Sequence, residues 1–363
     1  MPPELADAAG IRDIPLARYW GDEIPRHADA RRALFDAQTS AQVERAETFD
    51  VLALSGGGPD GAFGAGLLKG WTESGTRPQF RVVTGISTGA LIAPLAFVGP
   101  ERDSDLERIY TQTPESDLIR DRGILGLLSD SIADSSPLRA QISRYIDDEM
   151  VRAIAAEYRK GRRLFIGTTH LDAGRQIVWN IGAIADSGIA DARELIGDIL
   201  LASASIPGLF PPVQIDVEVD GQTYDELHVD GGVGAQVIFL PMGLDVEAFV
   251  DSIGIQGRRR IFVIRNSKVD PEWSVVERKL GPIAKASIRM LIDSQGDGDL
   301  FRLYLQALQN EFEYRVAYIP PDFDVERQSW FDPDYMSALF DLGYELAREG
   351  YPWAERPPGA LAD

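Results

Sequence analysis

The 363-residue sequence contains no cysteine and only three histidines, which are His27, His170 and His228. The absence of thiols excludes disulfides, thiolate catalysis, zinc–thiolate sites and iron–sulfur clusters. Basic residues are also scarce, because 36 Lys and Arg stand against 57 Asp and Glu and give a formal charge of −21. So acidic a chain repels phosphates, and we exclude nucleic acid as a partner. We assign no metal and no cofactor.

The chain also lacks a long apolar run. Its longest uncharged stretch, residues 82–100, contains Thr, Ser, Gly and Pro and is too polar to span a bilayer. Residues 1–47 are rich in Pro, Asp and Ala, and they begin without the basic and apolar regions of a signal peptide. We interpret them as an extended N-terminal arm or linker, so that ordered structure begins near Val51. The compartment is left open, and removal of a preceding signal segment would make it periplasmic or membrane-anchored.

The residues after this arm follow a strand–helix–strand pattern. Short apolar runs at 51–54 and 80–83 are typical of buried strands. Residues 61–73 between them carry apolar side chains at helical spacing, and residues 90–97 are apolar on all sides, as in a buried helix. A crossover of this kind is right-handed and places two parallel strands in one sheet.

Strands and helices continue to alternate further along the chain, which predicts an α/β fold. Among the later elements we expect single helices at 136–160, 277–292 and 300–311. This alternation predicts that residues 48–250 form the central region of the domain. Residues 251–363 would add a C-terminal strand and helices packed on the same domain.

A glycine-rich loop follows the first predicted strand. Ser55 is succeeded by Gly56, Gly57 and Gly58 directly before the first predicted helix. Consecutive glycines permit positive φ angles and leave backbone N–H groups unshielded, and the helix N-terminus adds partial positive charge. Such a loop can hold a phosphate or a developing oxyanion, although a tight strand-to-helix turn explains it equally well. It lacks the spacing of a Walker A or dinucleotide-binding loop.

A second motif, Gly85-Ile86-Ser87-Thr88-Gly89, lies between the second strand and the apolar helix. Gly-x-Ser-x-Gly in this setting is the pattern of a nucleophile elbow, in which the serine occupies a sharp turn. The pattern alone is weak, and the strand before it and the helix after it supply the context. Ser87 is therefore a candidate nucleophile.

A third motif, Asp230-Gly231-Gly232, ends a predicted strand and by itself is typical of a turn. A serine nucleophile needs a base, for which histidine is the usual choice, and only His170 and His228 lie within the probable domain. His228 shares a strand face with Asp230, but a hydrogen-bonded core histidine is the favoured interpretation. An α/β-hydrolase triad is disfavoured because no histidine follows Asp230 in the sequence.

In this order the three motifs resemble those of the patatin-like phospholipase family. The resemblance covers roughly residues 51–237, and residues 202–212 look like the family's Ala-Ser-x-Ala-x-Pro-x-x-Phe-Pro-Pro stretch. It implies a three-layer α/β/α patatin-like fold with a mainly parallel central sheet. One departure is Asp60, where the family often carries Lys or Arg, and a preference for anionic phospholipids is therefore not expected.

The resemblance also implies a mechanism. Ser87 would be the nucleophile and Asp230 the base of a serine–aspartate dyad, with an oxyanion hole at Gly56, Gly57 and Gly58. The chain would then be a serine esterase or lipid acyl hydrolase, phospholipase A- or lipase-like, that cleaves an acyl-ester lipid through an acyl-serine. An acyltransferase using the same acyl-serine and a non-catalytic lipid- or phosphate-binding module are the alternatives.

An apolar patch at residues 124–128 interrupts a polar region of the chain. It is interpreted as a short core-packed helix, with a lid or a transient contact with a membrane surface as the functional alternative. The sequence makes no prediction of oligomeric state.

Overall fold

The computed structural model describes residues 1–23, 48–121, 131–239, 257–270, 273 and 275–360. The apolar patch at residues 124–128 lies outside these ranges. The ends of the predicted core, near residues 48 and 250, adjoin or fall within undescribed segments, and the division of the chain into three regions stays a prediction.

A mixed sheet of nine strands forms the centre of the molecule. Strands β2, β3, β6, β10 and β11 run parallel to their neighbours in the order β6-β3-β2-β10-β11. Antiparallel strands β7 and β1 extend the sheet beyond β6, and the hairpin β8–β9 also pairs with β6. A separate small ladder joins β4 and β5. The strands are β1 (Arg18–Trp20), β2 (Thr48–Leu54), β3 (Val82–Ile86), β4 (Arg120–Asp121), β5 (Ala133–Asp134), β6 (Arg163–His170), β7 (Arg175–Asn180), β8 (Val213–Val219), β9 (Gln222–Asp230), β10 (Arg258–Arg265) and β11 (Phe312–Tyr318).

Helices cover both faces of this sheet. Along β2 the side chains alternate, so that Leu52 and Leu54 face one apolar core while Val51 and Ala53 face a second. The first core contains most of the helices, and the second contains one long helix, α8 (Leu280–Gln309). The arrangement confirms the predicted three-layer α/β/α fold. The helices are α1 (Gly61–Glu73), α2 (Thr88–Val98), α3 (Asp103–Gln112), α4 (Ser136–Tyr145), α5 (Asp148–Arg159), α6 (Ile181–Asp186), α7 (Ala192–Ser203), α8 (Leu280–Gln309) and α9 (Pro333–Arg348).

Two predicted helix boundaries are wrong. The helix expected at 136–160 is divided into α4 and α5, because the Asp147 carboxylate accepts a hydrogen bond from the Met150 N–H at 2.8 Å and caps a new helix. Conversely, the helices expected at 277–292 and 300–311 are one helix, α8, which continues through Gly296 and Gly298.

Ordered structure begins well before Val51, which corrects the expectation from sequence. Strand β1 pairs with β7 at the edge of the sheet, and Ile14 and Ala17 are buried in the first core. Arg18 forms a buried ion pair with Glu226 of β9, in which Nη2 donates to Oε1 at 3.0 Å. The segment from Ile14 to Trp20 therefore belongs to the packed fold.

Within the described ranges, no helix combines the length and the apolar character needed to cross a bilayer.

Candidate active site

Ser87 occupies the sharp turn between β3 and α2, with φ 54° and ψ −123°. Such angles are strained for a residue with a side chain and are typical of nucleophile elbows. The flanking glycines have no room for a Cβ, which at Gly85 would lie 2.4 Å from the Gly89 carbonyl oxygen and at Gly89 2.5 Å from that of Leu54. Close backbone packing thus explains the Gly-x-Ser-x-Gly spacing.

The sheet topology brings Ser87 and Asp230 together. Strand β7 pairs along one edge of β6. On the other edge β3 pairs with β6 as far as Ile86 opposite Gly167, and β9 pairs with the next residue, where Asp230 lies opposite Thr168. The ends of β3 and β9 therefore meet at one point, and Ser87 Oγ donates a hydrogen bond to Asp230 Oδ2 at 2.6 Å.

The Asp230 carboxylate is 5% exposed and has few partners. Its Oδ1 accepts a hydrogen bond from the Gly232 N–H at 2.7 Å, and its Oδ2 accepts the one from Ser87. Burial raises the pKa of Asp230 from 3.8 to about 6, although both hydrogen bonds act in the opposite direction. At neutral pH the group is a carboxylate that is more basic than an ordinary aspartate.

The stretch at residues 202–212 supports both residues, a role that its sequence alone did not predict. The Ser87 N–H donates to Ser203 Oγ at 3.0 Å, and Ser203 Oγ donates in turn to the Gly167 carbonyl oxygen at 2.7 Å. The Asp230 N–H donates to the Ser205 carbonyl oxygen at 2.9 Å. These bonds fix the backbone on both sides of the Ser87–Asp230 contact.

The glycine loop lies directly beside Ser87. A Cβ on Gly56 would be 3.3 Å from that of Ser87. The Gly56 N–H donates a hydrogen bond to the Gln236 carbonyl oxygen at 3.0 Å. It is therefore not available to an oxyanion. In the part of the chain that the structure describes, the N–H groups of Gly57 and Gly58 have no protein acceptor.

Asn266, at the end of β10, holds the glycine loop, and no motif pointed to it. Its N–H donates to Ser55 Oγ at 2.8 Å, its Nδ2 donates to the Ser55 carbonyl oxygen at 2.9 Å, and its Oδ1 accepts from the Gly64 N–H at 3.1 Å. Gly57 has φ 156°, and a Cβ there would lie 2.0 Å from the Asn266 carbonyl oxygen. The loop conformation therefore depends on a residue far from it in sequence.

Asp60, which stands where the family often carries Lys or Arg, lies near the guanidinium of Arg327. Asp60 Oδ1 accepts a hydrogen bond from the Tyr335 hydroxyl at 2.8 Å and lies 4.0 Å from Arg327 Nη1. Tyr335 belongs to α9, so this contact also fixes the start of α1 against that helix.

A cavity of about 50 Å³ adjoins Ser87 and Gly58. Almost all of the remaining lining is apolar, which suits a hydrocarbon group. The side chains involved are Pro59, Thr88, Leu91, Ile109, Tyr110, Leu118, Leu138, Ala204, Ile206, Phe210, Phe331 and Met336.

His228 is a buried, hydrogen-bonded core residue, as favoured from the sequence. Its Nδ1 lies 3.0 Å from Thr168 Oγ1, and its Nε2 lies 3.2 Å from Glu226 Oε2. Burial lowers the pKa of His228, although Glu226 acts in the opposite direction. The hydroxyl of Ser87 has Asp230 as its partner instead.

The family model of the patatin-like phospholipases matches residues 52–242. This region is more than half of the chain and contains Ser87, Asp230 and the glycine loop. The protein therefore belongs to the patatin-like phospholipase family.

Two solved structures resemble the fold at low sequence identity. VipD from Legionella pneumophila is 12% identical with a TM-score of 0.40, over 84% of this chain and 66% of VipD. ExoU from Pseudomonas aeruginosa, solved in complex with SpcU, is 14% identical with a TM-score of 0.34, over 84% of this chain and 52% of ExoU. This chain thus spans just under two thirds of VipD and about half of ExoU. Among curated proteins, none matches it.

Proposed function

We propose that the protein is a serine lipid acyl hydrolase that cleaves carboxylic esters with a dyad of Ser87 and Asp230. The observation that carries the proposal is the 2.6 Å hydrogen bond from Ser87 Oγ to a buried carboxylate whose pKa is raised to about 6. A nucleophile needs a base within hydrogen-bond reach and with a pKa near the working pH, and this pair has both.

In the first step Ser87 Oγ attacks the ester carbonyl carbon and its proton passes to Asp230 Oδ2. The C=O π bond opens, and the carbonyl oxygen becomes an oxyanion. When the tetrahedral intermediate collapses, the bond to the alcohol oxygen breaks and the alcohol leaves with the proton from Asp230. An acyl-Ser87 ester remains. Water then attacks the acyl carbon, loses a proton to Asp230, and releases the fatty acid while Ser87 regains its proton.

The N–H groups of Gly57 and Gly58 are the oxyanion donors in this scheme, whereas that of Gly56 is excluded by its bond to Gln236. Each donor aimed at the oxyanion is worth roughly 2.7–4 kcal/mol of transition-state stabilisation. The N-terminus of α2, directly after Ser87, further favours negative charge on Oγ by roughly 0.3–1 kcal/mol.

The apolar cavity beside Ser87 supports a fatty acyl chain as the group held during the reaction. In this proposal the acyl carbon lies at Ser87 Oγ and its chain lies against the apolar side chains that line the cavity.

Two variants test the dyad. In Ser87→Ala and Asp230→Asn, turnover of p-nitrophenyl butyrate and of phosphatidylcholine should fall by roughly a thousandfold or more. A fluorophosphonate should label the parent protein and leave Ser87→Ala unlabelled. Ser187→Ala and Asp225→Asn remove an exposed hydroxyl and an exposed carboxylate and serve as matched controls.

Normal turnover in either folded variant would refute the dyad. Absence of both turnover and labelling in the parent protein would favour a non-catalytic binding module. Transfer of the acyl group to added lysolipid in preference to water would identify an acyltransferase.

A further inference from the structure

A carboxylate on the long helix α8 lies buried against the segment that follows Asp230. Asp299 is 6% exposed, and its Oδ2 accepts hydrogen bonds from the Gln236 N–H at 2.6 Å and the Val237 N–H at 3.4 Å. Its Oδ1 lies 3.0 Å from Nη2 of Arg302, a side chain that is 39% exposed. Because a carboxylate is costly to bury, packing of the helix alone does not account for this residue.

Gln236 connects this carboxylate with both parts of the proposed active site. Its carbonyl oxygen accepts the hydrogen bond from the Gly56 N–H at 3.0 Å, at the start of the glycine loop. Its side-chain Nε2 donates to the Gly232 carbonyl oxygen at 2.8 Å, and the Gly232 N–H donates to Asp230 Oδ1 at 2.7 Å. One residue therefore contacts both the loop with the proposed oxyanion donors and the turn that holds the proposed base.

The Gln236 side chain is closely packed between these two segments. Gln236 is 5% exposed. A Cβ on Gly56 would lie 2.8 Å from Gln236 Oε1, and a Cβ on Gly232 would lie 2.4 Å from Gln236 Nε2. Neither glycine leaves room for a larger residue, so a displacement of Gln236 would displace the loop and the turn as well.

The same face of α8 makes two further contacts with the segment. Gln295 Nε2 donates to the Gly234 carbonyl oxygen at 2.6 Å, and Arg302 Nη2 donates to the Val237 carbonyl oxygen at 3.3 Å. Gln295 and Arg302 lie about one turn before and after Asp299 on the helix. Two turns of α8 thus fix the backbone of residues 234–237.

We propose that Asp299 and Gln236 are positioning residues that set the oxyanion donors and the base of the dyad relative to one another. The proposal rests on the proposed function, because it assigns the two residues a task in that reaction. Asp299 acts on the glycine loop through the Gln236 backbone, and the Gln236 side chain acts on Asp230 through Gly232. The oxyanion forms only as the reaction proceeds, so a displaced loop slows the chemical step and leaves substrate binding unchanged.

Steady-state kinetics with p-nitrophenyl butyrate test the role of Asp299. Asp299→Leu should lower kcat by about tenfold to a hundredfold and leave KM within about twofold, because the loop loses its alignment. Asp299→Asn keeps an oxygen that can accept from the Gln236 N–H, and its kcat should lie within about threefold of the parent. Asp293→Leu removes a half-exposed carboxylate from the same helix and is the matched control. Each kcat is expressed per serine labelled by a fluorophosphonate at completion, so that unfolded protein does not lower it.

The pH profile of kcat/KM tests the role of Gln236. Gln236→Met keeps the length of the side chain and the backbone bonds, but it has no donor for the Gly232 carbonyl oxygen. The hydrogen bond from the Gly232 N–H lowers the pKa of Asp230, against the larger effect of burial. With Gly232 held less firmly, the acid limb should move from about pH 6 to about pH 6.5 or higher. Gln222→Met, at an exposed glutamine, should keep the profile of the parent.

The positioning role is overturned if Asp299→Leu keeps the kcat of the parent, or if Asp299→Asn is as slow as Asp299→Leu. It is also overturned if the acid limb of Gln236→Met stays where it is in the parent. Asp299→Ala takes the place of Asp299→Leu if the latter does not fold. Retained turnover in Ser87→Ala would refute the dyad, and the positioning role with it. Loss of turnover in Ser87→Ala, with parent-like kinetics in the other variants, would overturn the positioning role alone.

Discussion

Replacing Asp230 by Asn should stabilise the protein while it removes activity. The amide keeps the shape of the carboxylate, its oxygen can accept from the Gly232 N–H, and its Nδ2 can donate to Ser87 Oγ. What the change removes is a negative charge from a site that is shielded from water. The parent protein bears the cost of that charge in the folded state only, because the unfolded chain hydrates it.

The size of the effect follows from the pKa of Asp230, which burial raises from 3.8 to about 6. A raised carboxyl pKa means that the folded state holds its proton more tightly than the unfolded state. The resulting destabilisation is absent below about pH 3, grows as the pH rises through the two pKa values, and levels off above the folded one. The full difference corresponds to roughly 3 kcal/mol, of which about 0.5 kcal/mol is present at pH 4.

Urea denaturation of the parent and of Asp230→Asn at several pH values measures this difference. The free energy of unfolding of the variant should exceed that of the parent by an amount that grows by about 2.5 kcal/mol between pH 4 and pH 8. Taking the difference cancels groups that titrate equally in both proteins. Asp225→Asn, on the same strand and exposed, controls for an added amide. A difference that does not vary with pH would refute the reasoning.

Three further outcomes are expected. Ser203→Ala should lower the free energy of unfolding by about 1–3 kcal/mol and should reduce kcat about tenfold. The reason is that the Ser87 N–H and the Gly167 carbonyl oxygen both lose their hydrogen-bond partner. Unchanged values would contradict this. Gly57→Ala should cost at least about 2 kcal/mol in urea denaturation, since its Cβ meets the Asn266 backbone. The kcat/KM for a soluble ester should rise tenfold per pH unit below about pH 6 and level above it, as Asp230 ionises; a level profile would count against the dyad.

The local part of the candidate site could be predicted from the sequence. A nucleophile elbow and a glycine loop are each formed by a few adjacent residues, and steric demands within that short span select their glycines. The order of strands and helices around them likewise follows from apolar periodicity. The juxtaposition of Ser87 with Asp230 was inferred from resemblance, and their catalytic roles remain a proposal.

The contacts between distant segments could not be predicted. The bond from Gly56 to Gln236, the support from Asn266 and the pairing of Arg18 with Glu226 each depend on which strands become neighbours. Nothing in the local sequence of Gln236 or Asn266 distinguishes a residue that holds a loop from an ordinary polar residue. The acceptor of the Gly56 N–H likewise comes from another part of the chain, so the local sequence does not reveal that this group is already hydrogen-bonded.

The ends of two predicted helices also could not be derived from the apolar pattern of the sequence. Asp147 starts a new helix through a single side-chain cap, which the apolar pattern over residues 136–160 does not register. The glycines at 296 and 298 favour a break by propensity, yet packing against the sheet keeps α8 continuous.

Strand β10 lies beyond residue 242, where the family match ends, yet it borders β2 on the side away from β3. A fragment trimmed to the matched region would present a bare strand edge, inviting aggregation, and would lose Asn266. Recombinant expression of a working unit should therefore extend at least past residue 299, where Asp299 meets Gln236. During synthesis the glycine loop also cannot form its contacts with Asn266 until β10 has left the ribosome.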